Sequence, residues 1–584
     1  MAKLKSITIE NYRSIGNSPV TIKFPENQPV ILIGENNSGK TNIIRAIEIL
    51  FGEWHPKYKE FDDHDYYNRS ANNKIIIKAE VSDFQNKFGR NSEHSCKGFK
   101  LEKEKGNETK YVAIQSDGNE NLYVSNPLRE ELSAIFVSSE QNLTYQLSYS
   151  TKYTLLSKVT KAFHDKLTSD EMRVRKLKKI YKKILNVFDE VNEFKDFKEK
   201  MSSITGKFIQ NMTHGLQLDF SAYDPSNYFK NLRVLPHENN ESRNFDELGT
   251  GQQQILALSF AHAYAKCFKN DGGLILIIDE PEAHLHPLAQ KWLAKTLFSM
   301  AKDGLQAVIT THSPYFIDLE FLEGIYLIRK NNKGTYVKNL NKNSLAQFCQ
   351  SKGVTKANAD TIIPFYSKSA TFNILKGFFA KKVVLVEGMT EELALPIYLE
   401  RLGLDVLEKG IDIIGVGGKG ELAKWWRFFT AFKIPCYVCF DNDAKDDNES
   451  NKRKDFLKAI GIPDKGLENL LTTTDWNIGD KYCVFGKDFE ETFRNSFPDY
   501  KNIENQVKEE LDDSKPLVAR EVAKRLNSDG NCIGWGKLKE LKCKIEKLKT
   551  PRLNGFKEEG NKENGRGEII TYVPSKKQFT TEKN

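Results

Sequence analysis

The chain has 584 residues, 39% hydrophobic and 28% charged, with 87 Lys plus Arg against 79 Asp plus Glu for a formal net charge of +8. That length corresponds to roughly three or four compact units; apolar runs such as Leu274–Ile278 fall short of the ~18 residues a spanning helix needs, and the start, MAKLKSITIE, has no apolar signal core. The modest positive excess permits a nucleic-acid partner without requiring one, eight cysteines over such a length exclude a disulfide framework, and a cytoplasmic protein without membrane attachment is expected.

In chain order, LKSITIE, VTIKF and PVILIG read as strands, and helical spacing starts after Lys40, with Ile43, Ile44, Ile47 and Leu50 on one face. Strands follow at KIIIKAEVSDF, KYVAIQ and AIFVSS. Residues 151–235 are charged and helical, with heptad-like apolar positions that suggest a helical insertion used for dimerisation; a solvated hairpin is the alternative. From Leu248 an α/β pattern resumes with a glycine turn, a helix, the strand LILIID, a helix and the strand QAVITTH. A polar connector is expected over 341–375. A second α/β unit, 376–550, opens with VVLVEG and continues through a helix, the turn GVGGKG, a helix and CYVCFDND, so a second parallel sheet with helices on its faces is predicted. Cys436 and Cys439 in that last strand form a single CxxC and read as core. Residues 551–584 read as a polar tail.

Gly34-Glu-Asn36-Asn37-Ser-Gly39-Lys40-Thr41 matches GxxxxGK[ST] between a strand and a helix. Its glycines let backbone N–H groups point at phosphate, and the helix N-terminus adds partial positive charge. Lys40 is expected to bridge the β- and γ-phosphates of ATP, and Thr41 to place its hydroxyl on Mg²⁺. Asp279 ends LILIID, where a carboxylate can hold the magnesium shell, and Glu280 beside it is the natural base for an attacking water. His312 ends the strand QAVITTH and is read as a γ-phosphate contact. Leu248-Gly249-Thr250-Gly251-Gln252 precedes a helix, and here the chain resembles ABC-type ATPases of the SMC and RecF kind, whose signature motif caps the ATP of the opposite subunit. Gly251 and Gln252 match it. Gly249 replaces the usual serine, which implies slow turnover.

Four acids fall at strand ends of the second unit. Glu387 ends VVLVEG, Glu391 lies in the first turn of the next helix, and Asp441 and Asp443 end CYVCFDND, two residues apart. Carboxyl ends of neighbouring parallel strands converge on one crevice. Carboxylates gathered there repel unless cations intervene, and oxygen ligands favour Mg²⁺ or Mn²⁺. A pair of such ions suits phosphodiester cleavage.

A glutamate after the first strand and a DxD after a later one form the TOPRIM pattern. FFAKKVVLVEGMTEELALP after an ABC-type ATPase resembles the OLD (overcoming lysogenisation defect) family, over most of the chain. That resemblance implies an ATP-regulated, metal-dependent DNA endonuclease or nickase in anti-phage defence, at least a homodimer, with DNA and a defence-system partner such as a helicase or reverse-transcriptase complex. It places the metal ligands on Glu387, Glu391, Asp441 and Asp443, a later pair on Asp488 and Glu490, and a catalytic lysine on Lys515, with Lys524 as its competitor. An ATP-switched DNA-binding or repair protein without cutting activity is the alternative. A topoisomerase would need a nucleophilic tyrosine, and none of the 22 tyrosines stands out. GKLKELKCKIEKLKTPR reads equally as a phosphate-tracking helix or a solvated face, and Trp425, Trp426, Phe428 and Phe429 read as core.

Overall fold

The fold comes from a computed structural model that describes residues 2–70, 72–87, 93–121, 123–138, 154–193, 195–197, 199–200, 237–238, 241–242, 247–268, 273–442, 447–511, 514–527, 532–549, 556–559 and 569–572. A six-stranded antiparallel sheet runs in the order Val20–Lys23, Leu4–Glu10, Ile75–Lys87, Glu93–Lys103, Lys110–Gln115, Glu120–Asn121. Behind it stands an eight-stranded sheet whose centre is parallel. Val30–Gly34 lies between Ile325–Asn331 and Gln306–Thr311, followed outward by Leu274–Asp279 and Ser133–Ser138. The second unit is a five-stranded sheet, Ile411–Gly415, Lys382–Val386, Cys436–Asp441, Tyr482–Phe485, Asn477–Ile478, parallel except at the last pair.

Successive side chains of a strand face opposite ways, and this alternation ties the two units together. Val30 and Leu32 pack with Ile43, Ile44 and Ile47 of the helix Lys40–Phe51. Ile31 and Ile33 face the other way, into a core that also holds Leu327, Val383, Leu385, Trp425, Phe428 and Phe429. The first sheet and the second therefore share one apolar layer, while Val384 and Val386 face a third core with Tyr398 and Phe493. Trp425, Trp426, Phe428 and Phe429 are buried, as are Cys436 and Cys439, on opposite faces of their strand.

Two regions differ from the sequence reading. The segment 341–375, expected as a polar connector, carries apolar core residues: helices Lys342–Ser351 and Ala359–Ser367 put Leu345, Phe348, Ile362 and Tyr366 into the shared layer. Apart from buried Ser344, their polar residues are partly or fully exposed, which is what made the stretch read as polar. The segment after 550 is not wholly a free tail. Its described parts, Phe556–Glu559 and Ile569–Tyr572, pair antiparallel, and the second adds to the edge strand Gly334–Asn339. Short strands at an open sheet edge carry little apolar pattern of their own.

Of the helical insertion, Leu155–Thr168 and Glu171–Asp189 are described. Leu155 and Val159 pack on Ala257, Leu258 and Ala261, so the first helix begins inside the core of the first unit; residues 201–236 lie outside the described residues. Among the described residues no helix is long and apolar enough to cross a membrane.

Phe428, fully buried, meets the rings of Tyr366, Phe378, Trp425, Phe429 and Phe432. Phe428→Ala is expected to cost about 3–5 kcal/mol. Because the layer is shared, amide exchange in Val30–Gly34 should rise along with exchange in the second sheet.

Candidate functional site

The parallel order sets the nucleotide site, since the carboxyl ends of Val30–Gly34, Gln306–Thr311 and Leu274–Asp279 lie side by side. The loop between Gly34 and Lys40 needs both of its glycines. A Cβ on Gly34 would stand 2.3 Å from the Ile328 carbonyl oxygen, and one on Gly39, at φ 111°, would stand 2.4 Å from Thr335 Oγ1. Asn37 also adopts a left-handed conformation, φ 62°. Asn36, Asn37 and Thr41 are exposed, the last in the first turn of the helix. The loop is fastened from outside by residues the motif does not contain: Thr335 Oγ1 donates to the Ser38 carbonyl at 2.8 Å and meets Ser14 Oγ at 2.8 Å, and Asn42 Nδ2 donates to Ser14 Oγ at 2.6 Å.

Lys40 is buried and its ammonium folds back onto the loop, donating to the carbonyls of Gly34 at 2.9 Å and Glu35 at 3.1 Å, with His312 Nε2 at 2.8 Å. Burial pushes the Lys40 pKa down, with Glu280 and Asp279 acting against that fall. Burial also lowers the His312 pKa, helped by the Lys40 charge, so a neutral imidazole accepts from Lys40. Glu280 Oε1 lies 3.5 Å from His312 Nε2. Asp279 accepts from Thr310 Oγ1 at 2.5 Å, and Glu280, at φ 49°, donates its N–H to the Thr310 carbonyl at 3.2 Å. Lys40, Asp279, Glu280 and His312 thus form one constellation. Glu282, which the sequence reading passed over, orders it: its carboxylate accepts from the His312 N–H at 2.5 Å and Thr311 Oγ1 at 3.0 Å, and burial raises its pKa.

Gly251 and Gln252 open the helix Thr250–Phe268. Gly251 lies against the turn after Glu282, where an added Cβ would come 2.5 Å from Leu285 Cδ2.

In the second unit Glu387, Asp441 and Asp488 follow three adjacent strand ends. Glu387 Oε1 accepts the Asp441 N–H at 2.7 Å. Glu391, 4% exposed, accepts the Gly388 N–H at 3.3 Å. Its pKa is pushed up to about 7, by burial first and then by the charges of Glu387 and Glu490. Asp488 caps the helix Phe489–Ser496, accepting the Glu491 N–H at 2.6 Å, so one of its oxygens is already engaged. Asp443 lies outside the described residues. Among those described, no three His, Cys, Asp or Glu side chains are gathered closely enough to hold a metal ion as they stand. The donor chemistry nevertheless suits Mg²⁺ or Mn²⁺: it is all oxygen, and it holds a carboxyl whose ionisation its neighbours oppose.

Lys515 begins the helix Lys515–Arg525 with an exposed side chain. That helix packs beside Met389–Arg401, where Arg401 donates to the Ala523 carbonyl at 2.6 Å. Lys524 is engaged elsewhere, 2.7 Å from Glu521. Two further residues escaped the sequence reading. Lys419, 7% exposed, follows Gly417 and Gly418, whose N–H groups bond the Glu387 carbonyl, and its ammonium stands 3.5 Å from Glu387 Oε1. Asn442, between the two aspartates, is fully buried and donates to the carbonyls of Leu471 and Thr473, while buried Arg453 donates to its Oδ1 at 2.6 Å. An asparagine between two acids was the available signal. In the basic helix Ile533–Glu546, Lys542 donates to the Leu402 carbonyl at 2.9 Å and Lys544 pairs with Asp480 at 2.6 Å, so part of its charge serves the fold.

Thr335→Val keeps the volume and removes the hydroxyl that fastens the loop. A lost hydrogen bond of ~1 kcal/mol should weaken ATP binding about fivefold, read by titration of the purified chain. For the acids the sign follows from the direction of the shift. Glu391 is protonated in the fold below about pH 7, whereas an unfolded glutamate is ionised above ~4.3. Without a cation, stability should therefore fall as pH rises through that window, and Mn²⁺ binding at pH 6 should release close to one proton per site, and less at pH 8. Calorimetry in two buffers of different ionisation enthalpy measures the difference.

The family described as "AAA ATPase domain" matches residues 2–210 and 161–317, and "Overcoming lysogenization defect protein-like, TOPRIM domain" matches residues 378–443. The chain is 25% identical over 459 residues to the OLD nuclease of Thermus scotoductus, covering 76% of this chain and 82% of that one. It is 22% identical over 499 residues to the Old nuclease of Escherichia phage P2, covering 80% and 81%, and 22% identical over 483 residues to the endonuclease GajA of Bacillus cereus strain VD045, covering 77% and 76%. With a GxxxxGK[ST] loop, Asp279, Glu280 and His312 on one parallel sheet and Glu387 and Asp441 at the strand ends of the next, this chain belongs to the AAA ATPase domain family and joins that domain to an OLD-like TOPRIM domain.

Proposed function

We propose that this protein is an ATP-regulated, divalent-metal-dependent DNA endonuclease or nickase that works in anti-phage defence as a homodimer or larger assembly. The observation that carries the reading is the pairing, in one chain with one shared apolar layer, of a phosphate-binding loop backed by Asp279, Glu280 and His312 with acids at three adjacent strand ends of a TOPRIM sheet. The names of the relatives, two OLD nucleases and an endonuclease, support it.

In the first site Gly34, Asn36, Asn37, Gly39 and Lys40 receive the phosphates, and Lys40 exchanges its carbonyl partners for phosphate oxygens. Thr41 and Asp279 would hold Mg²⁺, which would neutralise phosphate charge there. Glu280 takes the proton of the attacking water, and neutral His312 orients Glu280 and the γ-phosphate. Gly251 and Gln252 of a second copy close over the nucleotide, and Gly249 in place of a serine makes turnover slow. In the second site Glu387, Glu391, Asp441 and Asp443, joined by Asp488 and Glu490, would hold Mg²⁺ or Mn²⁺, which supplies activated water and neutralises the leaving oxygen. Lys419 holds the Glu387 carboxylate, Arg453 holds Asn442 next to Asp441, and Lys515 balances negative charge building on the scissile phosphate.

Plasmid cutting with Mg²⁺ or Mn²⁺ and phosphate release from ATP, measured on one folded preparation, test the reading together. Asp441→Ala should abolish cutting and leave ATP hydrolysis standing. Glu280→Gln should bind ATP and hydrolyse it about 10²–10⁴-fold more slowly. Continued cutting by folded Asp441→Ala, with ATP turnover intact, would favour the ATP-switched, non-cutting alternative.

A further inference from the structure

Ile411–Gly415 is the outermost described strand of the second sheet, and the N–H groups on its outer side meet no neighbouring strand. The Val416 N–H points inward, to the Val386 carbonyl at 3.0 Å, so the Gly415 N–H points outward, and there the Glu392 carboxylate accepts it at 3.1 Å. Two more donors meet the same carboxylate. Asn373 Nδ2 donates to its Oε1 at 3.0 Å and lies 3.3 Å from its Oε2, and Lys376 Nζ stands 3.6 Å from Oε1 and 3.5 Å from Asp412 Oδ1. Only an ionised carboxylate accepts at both ends in this way. The fit is close: a Cβ on Gly415 would stand 2.6 Å from Glu392 Oε2 and 3.1 Å from the Gly388 carbonyl oxygen.

Asn373 and Lys376 come from outside the sheet. The short helix Phe372–Leu375 puts Leu375 into the layer shared by the two units, and the Phe372 ring meets that of Tyr315 at 4.8 Å. The clamp is therefore anchored to the body of the molecule, and what it grips is the start of the turn that leads to Glu387. Gly417 and Gly418 donate to the Glu387 carbonyl at 3.1 and 2.9 Å. Lys419 follows, with its ammonium 3.5 Å from Glu387 Oε1, the oxygen that accepts the Asp441 N–H at 2.7 Å. A closed ammonium–carboxylate bond is ~2.7–2.9 Å long. Lys419 thus orients Glu387 without closing on it, on a turn fixed at its start by Glu392 and in its middle by the Glu387 carbonyl. Glu391 and Glu392, successive in the helix Met389–Arg401, point ~100° apart around its axis; the first bonds the Gly388 N–H beside Glu387, and the second grips the turn.

We propose that Glu392, held by Asn373 and Lys376, is a positioning residue of the TOPRIM site: by fixing the turn it keeps the Lys419 ammonium from closing on Glu387 and so leaves that carboxylate to a divalent cation. The proposal rests on the reading of Glu387 as a metal ligand. Its sign follows from charge. An ammonium closed on Glu387 competes with Mg²⁺ or Mn²⁺ for the same oxygens, so loosening the turn lowers cation affinity, and removing the ammonium raises it.

The test is Mn²⁺ binding to the full chain, measured by calorimetry without nucleotide or DNA. Binding that Asp441→Ala abolishes belongs to the TOPRIM acids. Glu392→Gln keeps the size but turns an amide N–H₂ group toward donors, and should weaken that binding about tenfold. Asn373→Ala leaves the carboxylate in place and should weaken it about threefold; it carries the same test if Glu392→Gln does not fold. Lys419→Met should bind Mn²⁺ about fivefold more tightly. The deciding variant is the double one. In the Lys419→Met background Glu392→Gln should leave affinity unchanged, because the ammonium through which it acts is gone. A glutamate that merely supports the fold would lower affinity by the same factor in both backgrounds, and that result overturns the positioning role while the metal site stands. So does equal affinity of the wild type with both Glu392→Gln and Asn373→Ala. If wild-type chain binds no Mn²⁺, or binds it equally with Asp441→Ala, the assignment of the acids as ligands is what fails, and the positioning role is overturned with it.

Discussion

The rest of the molecule depends on one apolar layer that belongs to two sheets at once. Ile31 and Ile33 reach it from the strand that ends in the phosphate-binding loop, and Val383 and Leu385 reach it from the strand that ends at Glu387. Each strand is buried on both faces, as central strands of parallel sheets are, so neither can slide or twist without disturbing the packing of its neighbours. The helices Lys342–Ser351 and Ala359–Ser367 fill the layer between them. The two candidate sites are therefore carried on one continuous packed body rather than on units joined by a tether.

Charge is distributed to suit that arrangement. Around the nucleotide loop a buried lysine is satisfied by carbonyls and a neutral histidine, with Glu280 within reach. These are bonds that phosphate oxygens can replace, because carbonyl, imidazole and phosphate are all acceptors for the Lys40 ammonium. In the TOPRIM unit acids are also brought toward one another: Glu391 keeps its proton up to about pH 7, and Lys419 stands against Glu387. Both sites gather carboxylates: at the first, Asp279, Glu280 and Glu282 act on the ammonium of Lys40, and at the second Glu387 and Glu490 act on Glu391. Arg329, Glu35 and Lys381 bridge the two units at their border.

Much of this was legible in the residues themselves. A phosphate-binding loop is a local device, written in glycines at fixed spacing before a helix, and Asp279, Glu280 and His312 each announce themselves by ending a short apolar run. The TOPRIM acids are legible for the same reason, since Glu387 and Asp441 terminate VVLV and CYVCF. The connector and the last segment were misread because their apolar residues make sense only against partners far away in the chain. Leu345 and Tyr366 lie far from Ile31 and Trp425 in sequence, and Ile569 pairs with Asn339 across most of the second unit.

The sequence by itself determined the fold class, the order of the ATPase and TOPRIM parts, and which residue types stand at the strand ends, because these follow from local periodicity and from motifs a few residues long. Only the tertiary structure decided what holds those residues. Thr335 and Ser14 fasten the loop, Glu282 orders His312, and Arg453 fixes Asn442. These contacts run from Arg453 with Asn442, 11 residues apart, to Ser14 with Thr335, 321 apart, and divide evenly between backbone and side-chain partners. A single sequence carries no periodic trace of such a pairing, and it exists only once the sheets have set the distance between them.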